Sequence, residues 1–204
     1  MFVLVSIVAT ILACCGAFAQ VTEDDQNQVH RHNDSKRLLS INQTFYLLYR
    51  SERNDSALPD AQCTQTRHGD GFENRETVSV LRRLFYVHHK GHINRHFIVI
   101  YPNKSNEILP YDDSMTIKIL AVYLGERPIY SDLLFTDYST CFAVRRPADG
   151  VYELWSIGRP NLTNINPKCR SAYEQDPEIP GSSAVRPKYD VFNETACCHT
   201  RPIE

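Results

Sequence analysis

The sequence predicts an all-β domain with a minor helical content, built as a sandwich or an antiparallel barrel. Three observations carry this. Short aromatic and β-branched runs recur along the chain, clusters of turn-forming residues separate them, and no long amphipathic helix interrupts them. No 20–50-residue repeat marks a solenoid. Periodicity by itself leaves sandwich and barrel both open.

The elements follow in order. Residues 20–36 are polar and charged, and a short helix is expected near 32–39. Residues 44–50, Thr-Phe-Tyr-Leu-Leu-Tyr-Arg, form the first strand signal. Residues 51–59 carry Asn, Asp, Ser and Pro and predict a loop. A second strand is expected over 76–88, where Val78, Val80, Leu84 and Tyr86 fall on one period-two face. A third, 96–101, stops at Pro102-Asn103, and 115–124 and 128–138 give a fourth and a fifth. The sixth and seventh, 141–146 and 151–157, flank Pro147-Ala148-Asp149-Gly150, a hairpin turn signal. Residues 167–175 predict a short helix and 189–192 a last extended piece.

The N-terminus is of another kind. Residues 1–19 hold no charge, and their apolar run is shorter than the ~20 residues that span a bilayer. Ala17-Phe18-Ala19 offers small residues on either side of a variable one, as a signal peptidase requires. No Lys or Arg precedes the run, a departure from the usual leader. The expectation is a cleaved export signal over 1–19, a new N-terminus at Gln20, and one domain over 20–204. Six sequons, at Asn33, Asn42, Asn54, Asn103, Asn161 and Asn193, are then glycan acceptors of an extracellular chain. Cys14 and Cys15 leave with the leader, and Cys63, Cys141, Cys169, Cys197 and Cys198 remain for two bridges and one odd thiol.

The formal charge of −2 offers no basic excess to neutralise phosphates. Neither a nucleic acid nor a membrane is therefore expected as partner, and the chain is expected to be a monomer. No P-loop, Gly-x-Gly-x-x-Gly, His-Glu-x-x-His or nucleophile-elbow pattern occurs, so no catalytic residue, no cofactor and no enzyme is expected. His88, His89, His92 and His96 sit around Lys90-Gly91 and are expected at a solvated hairpin tip, not around a metal.

Two pairs have the spacing that puts side chains on one face of a strand. Glu153 and Trp155 are one, and Tyr130 and Asp132 the other. A carboxylate in a dry hollow attracts a cation more strongly than one at the surface, and a ring beside it adds cation–π attraction.

Three stretches in this order resemble the tick salivary lipocalins, the family of the tick histamine-binding proteins. They are residues 44–51 followed by Cys63; Thr-Asp-Tyr-Ser-Thr-Cys-Phe-Ala-Val-Arg over 136–145; and Tyr152-Glu153-Leu154-Trp155 followed by Pro167, Cys169 and Tyr173. Tyr189-Asp190 and Cys197-Cys198 complete the set. The resemblance implies an eight-stranded antiparallel up-and-down lipocalin barrel with a C-terminal helix packed outside. It implies a Cys141–Cys169 bridge, and a bridge from Cys63 to Cys198 or, alternatively, Cys197. A further bridge of many relatives is missing, since Gln175-Asp176 occupy its place.

The resemblance also implies a secreted binder that lowers the free concentration of a host mediator by stoichiometric capture. Glu153 would meet an amine such as histamine or serotonin and Trp155 would stack on it. Leu154 would face outward, under the helix. Tyr130 and Asp132 would contribute a second acid-bearing pair to the site. Phe142 stands where amine-binding relatives often carry an acid; it makes the cavity more apolar and opens the alternative of a fatty-acid or leukotriene-type lipid. Arg82, Lys118, Arg145 or Arg146 would then meet its carboxylate. A third alternative is action through the outer surface on a host plasma protein, such as a complement or clotting factor.

Overall fold

The computed structural model describes residues 32–53, 61–74, 79–88, 91–120, 127–175 and 186–197. The expected leader, Asn54, His89 and Cys198 lie outside them.

Helix α1 (Ser35–Leu39) precedes strand β1 (Phe45–Arg50). Seven further strands follow: β2 (Gln62–Asn74), β3 (Ser79–Val87), β4 (Ile93–Asn103), β5 (Ser114–Leu120), β6 (Ile129–Thr136), β7 (Cys141–Arg146) and β8 (Val151–Ile157). Helix α2 (Pro167–Glu174), strand β9 (Tyr189–Asp190) and the short helix α3 (Glu194–Cys197) come last. Each strand from β2 to β8 pairs antiparallel with the next, β8 pairs β1, and β1 returns to β2. The sheet therefore closes into an eight-stranded barrel, the architecture that the resemblance implies.

Closure between β1 and β2 is short. Phe45 and Tyr46 face Thr66 and Gln65, after which the strands part. The C-terminal segment fills the gap. Tyr49 and Arg50 pair with Asp190 and Tyr189 of β9. The Val191 amide then donates to the Leu48 carbonyl at 2.9 Å, and the Cys63 amide donates to the Val191 carbonyl at 2.8 Å. The Cys63–Cys197 disulfide fastens the same wedge to β2. Cys197, not the Cys198 placed first by the sequence reading, is thus the partner of Cys63.

Two apolar groups follow from the alternation of the strands. Inside lie Phe45, Leu84, Ile98, Ile100, Met115, Leu133, Phe142 and Val144, with Leu38 and Leu39 of α1. Outside, α2 covers Leu48, Leu154 and Ala143 with Cys169 and Tyr173. Asn166 caps α2 by accepting from the Lys168 amide, and Pro167 fits its first turn. The Cys141–Cys169 disulfide staples the helix to β7. Leu154 is fully buried under it, as expected; burying such a side chain stabilises by ~2 kcal/mol.

Two expectations need correction. The sequence assigns no element to residues 62–74, because Gln62-Cys-Thr-Gln-Thr-Arg-His-Gly carries almost no apolar residue, whereas the structure places β2 there. Yet Thr64, Gln65 and Thr66 are buried, because neighbouring strands lend them an interior. The histidines also separate. His88 and Gly91 form the hairpin tip, with the His88 amide donating to the His92 carbonyl at 2.9 Å. His96 lies within β4, stacked on Tyr86 at 5.8 Å between ring centroids. Burial pushes the His96 imidazole below its ordinary value.

Candidate functional site

The barrel has a sealed end and an opposite end. At the sealed end α1 plugs the opening. The Ser35 amide donates to the Asp112 carbonyl at 2.7 Å, the Ser35 hydroxyl to the Ser114 carbonyl at 2.8 Å, and the Asp34 amide to the Tyr138 hydroxyl at 2.9 Å. Beneath the plug lies Arg82, fully buried. Its guanidinium sits 3.8 Å over the Phe45 ring and donates to the Ile41 carbonyl at 3.2 Å, to the Gln43 carbonyl, and to the Thr66 carbonyl at 3.5 Å. Burial lowers its pKa to about 10, so it stays charged at neutral pH. Arg82 belongs to the floor and does not line the cavity.

Above this floor is a cavity of about 80 Å³. The walls are uneven. Leu84, Ile98, Ile100, Met115, Ile117 and Ile119 on β3–β5 make one side apolar. Ser131, Arg146, Glu153 and Trp155 on β6–β8 place the charged groups on the other.

Glu153 and Trp155 face inward together, as their spacing predicts. The indole N–H donates to Glu153 Oε2 at 2.8 Å. Trp155 and Phe142, opposite each other on β8 and β7, stack with centroids 5.8 Å apart and planes 4° apart. Phe45 meets Phe142 edge-on at 5.0 Å. Arg146 is the charged neighbour that the sequence left among four candidates. Its Nη1 lies 3.6 Å from Glu153 Oε1, and its Nη2 is 3.0 Å from Asp149. Lys118 and Arg145 are on the outer face, over the Tyr101 ring and against Asp132 respectively.

Tyr130 and Asp132 do share a face, but it is the outer one. Their neighbours Ile129 and Ser131 line the cavity, so alternation turns Tyr130 and Asp132 outward. Tyr130 is 56% exposed, and Asp132 pairs with Arg145 at 3.1 Å. The pair is not part of the cavity. Sequence reasoning missed Ser131 and the floor residues Leu38 and Leu39; the run Ile129-x-Ser131-x-Leu133 carried the signal for the inward face.

Among known proteins, a family model described as tick histamine binding protein matches residues 23–199. No curated protein matches the chain. Several solved structures share the fold. Lobster apocrustacyanin A1 superposes with a TM-score of 0.53 at 13% identity, covering 82% of this chain and 83% of that one. Apocrustacyanin C2 gives 0.54 at 12%, over 81% and 83%. AM182, solved as a serotonin complex, gives 0.50 at 16%, over 80% and 90%.

Proposed function

The chain belongs to the tick histamine-binding protein family, and from that premise we propose that it is a secreted, non-catalytic carrier that sequesters a small aromatic amine in its barrel. The observation that supports this is one arrangement: the Glu153 carboxylate, held beside the Trp155–Phe142 stack on the wall of a cavity lined mostly by apolar side chains. An ammonium would meet Glu153, and its ring would lie against the stacked rings. The serotonin complex of AM182 fits the same reading.

Trp155 is the sole tryptophan, so its fluorescence reports the cavity. Histamine or serotonin is expected to quench it saturably. Glu153→Gln is expected to weaken that binding about ten- to a hundredfold, the ~1.5–3 kcal/mol of a charge-assisted bond. Equal amine affinity in wild type and variant would refute the role of Glu153.

Arg146 favours a second reading. A guanidinium on an otherwise apolar wall also suits the carboxylate of a short fatty acid or eicosanoid. The sign of one variant separates the two. Arg146→Met removes a like charge from an amine and leaves its affinity unchanged or tighter; it removes the partner of a carboxylate and weakens that guest at least tenfold. A fatty acid that quenches Trp155 where amines do not, with loss in Arg146→Met, would replace the first reading.

A secreted chain meets the glycosylation machinery, and the hydrogen bonds made by the sequon side chains favour some positions over others. The Asn103 amide nitrogen donates to the Tyr101 carbonyl at 3.2 Å and to the Thr116 hydroxyl at 2.5 Å. With its amide turned nitrogen-inward, Asn33 donates to the carbonyls of Leu134 at 3.1 Å and His32 at 2.8 Å. A glycan on either would remove an N–H that the fold uses. Asn42 and Asn161 are exposed, and Asn161 uses its amide oxygen for Thr163. Peptide mass spectrometry of the secreted chain is expected to find glycans at Asn42 and Asn161 and none at Asn33 and Asn103. Full occupancy at Asn103 would contradict this ranking.

A further inference from the structure

The net charge of −2 hides a segregation that only the fold reveals. On the outer face of β3–β5 the described residues include no carboxylate. They include Arg83, Arg95 and Lys118, all exposed, and Arg67 of β2 lies alongside Arg83. Each cation sits over a ring: Arg67 and Arg95 over Phe85 at 5.5 and 5.9 Å, Arg83 over Phe97 at 5.9 Å, and Lys118 over Tyr101 at 5.3 Å.

The same wall carries three of the large apolar side chains that the described part of the chain exposes, and a fourth, Tyr130, borders it on β6, where the nearby Asp132 is paired with Arg145. Ile93 is 45% exposed, Phe97 49%, Leu120 56% and Tyr130 56%. Phe97 and Leu120 are directly opposed across β4 and β5. Ile93 opens β4, Leu120 closes β5 and Tyr130 stands near the start of β6. All three therefore lie toward the rim opposite the α1 plug. Singly exposed apolar residues are ordinary; a cluster flanked by cations of one sign is not.

From this arrangement we infer that the β3–β5 wall docks on an anionic phospholipid surface. Arginine and lysine meet the phosphates and carboxylates of the headgroups, while Phe97, Leu120 and Ile93 enter the acyl boundary and Tyr130 lies at the interface. A free polyanion would use the cations alone and gain nothing from the exposed apolar side chains. Docking by this wall brings the unplugged rim to the lipid. The inference stands whatever guest fills the cavity.

The test is co-sedimentation of the chain beginning at Gln20 with phosphatidylcholine vesicles, with and without 30 mol% phosphatidylserine. Binding is expected only with phosphatidylserine, and is expected to fall as salt rises. Phe97→Ser with Leu120→Ser, and separately Arg95→Glu with Lys118→Glu, are each expected to reduce the bound fraction at least tenfold. All four side chains are exposed, and thermal unfolding and Trp155 emission should match the wild type. Absence of wild-type binding, equal binding to both vesicles, or binding that survives either variant would overturn the inference. Retention on heparin without vesicle binding would overturn it too.

Discussion

The paired change Cys63→Ala, Cys197→Ala is expected to lower stability by about 5 kcal/mol, more than removal of the Cys141–Cys169 bridge. The bridge spans 134 residues, so its absence gives the unfolded chain the freedom of a very large loop. The Cys141–Cys169 bridge spans 28 residues and should contribute about 4 kcal/mol by the same relation. For a domain of this size 1 kcal/mol moves the midpoint by roughly 2–4 °C, so a fall of about 10–20 °C is expected. Both residues must change, because Cys198 beside Cys197 offers a replacement thiol. Thermal unfolding followed by circular dichroism decides the matter. A smaller loss than that of the Cys141→Ala, Cys169→Ala pair would show that the wedge contributes little to closure.

The second large effect is expected from Arg82→Met. The substitution keeps volume and apolar character but removes the donors that three carbonyls use, those of Ile41, Gln43 and Thr66. Each orphaned acceptor costs on the order of 1 kcal/mol, so a loss of about 3 kcal/mol is expected. Ile41 and Gln43 lie just after α1, and the change should therefore also loosen the plug. Arg82→Lys should lose less, because an ammonium can still reach one or two of the carbonyls but not in a planar fork. Urea midpoints of the two variants supply the comparison. Should Arg82→Met unfold at the wild-type midpoint, the buried charge would be costing as much as its bonds return.

The strands that the sequence made legible are those with their own apolar alternation. β7 and β8, with Phe142, Val144, Glu153 and Trp155 inward, follow from period two and a single turn signal. β2 was not legible, because its buried threonines and glutamine gain their interior only from β1, β3 and the C-terminal segment. Such a strand is specified by its neighbours more than by itself. The candidate site shows the same division. A two-residue offset shows that Glu153 and Trp155, or Tyr130 and Asp132, point the same way. It does not say which way, and for the second pair the apolar residues on either side held the answer. Arg146 could not be told from Arg145 by composition; one residue of phase puts the first in the cavity and the second on the surface.

The wedge of β9 and Val191 between β1 and β2 also governs the order of events in folding. The first and second strands cannot be sealed to one another along their length until a stretch from the far side of the sequence arrives. That stretch is made after all eight barrel strands, and until it docks the Cys63 amide and the Leu48 carbonyl lack the partners they have in the folded barrel. Contacts so distant in sequence make assembly slow and leave the edge open to mispairing meanwhile. The chain behaves like a belt whose buckle is the last part to be made.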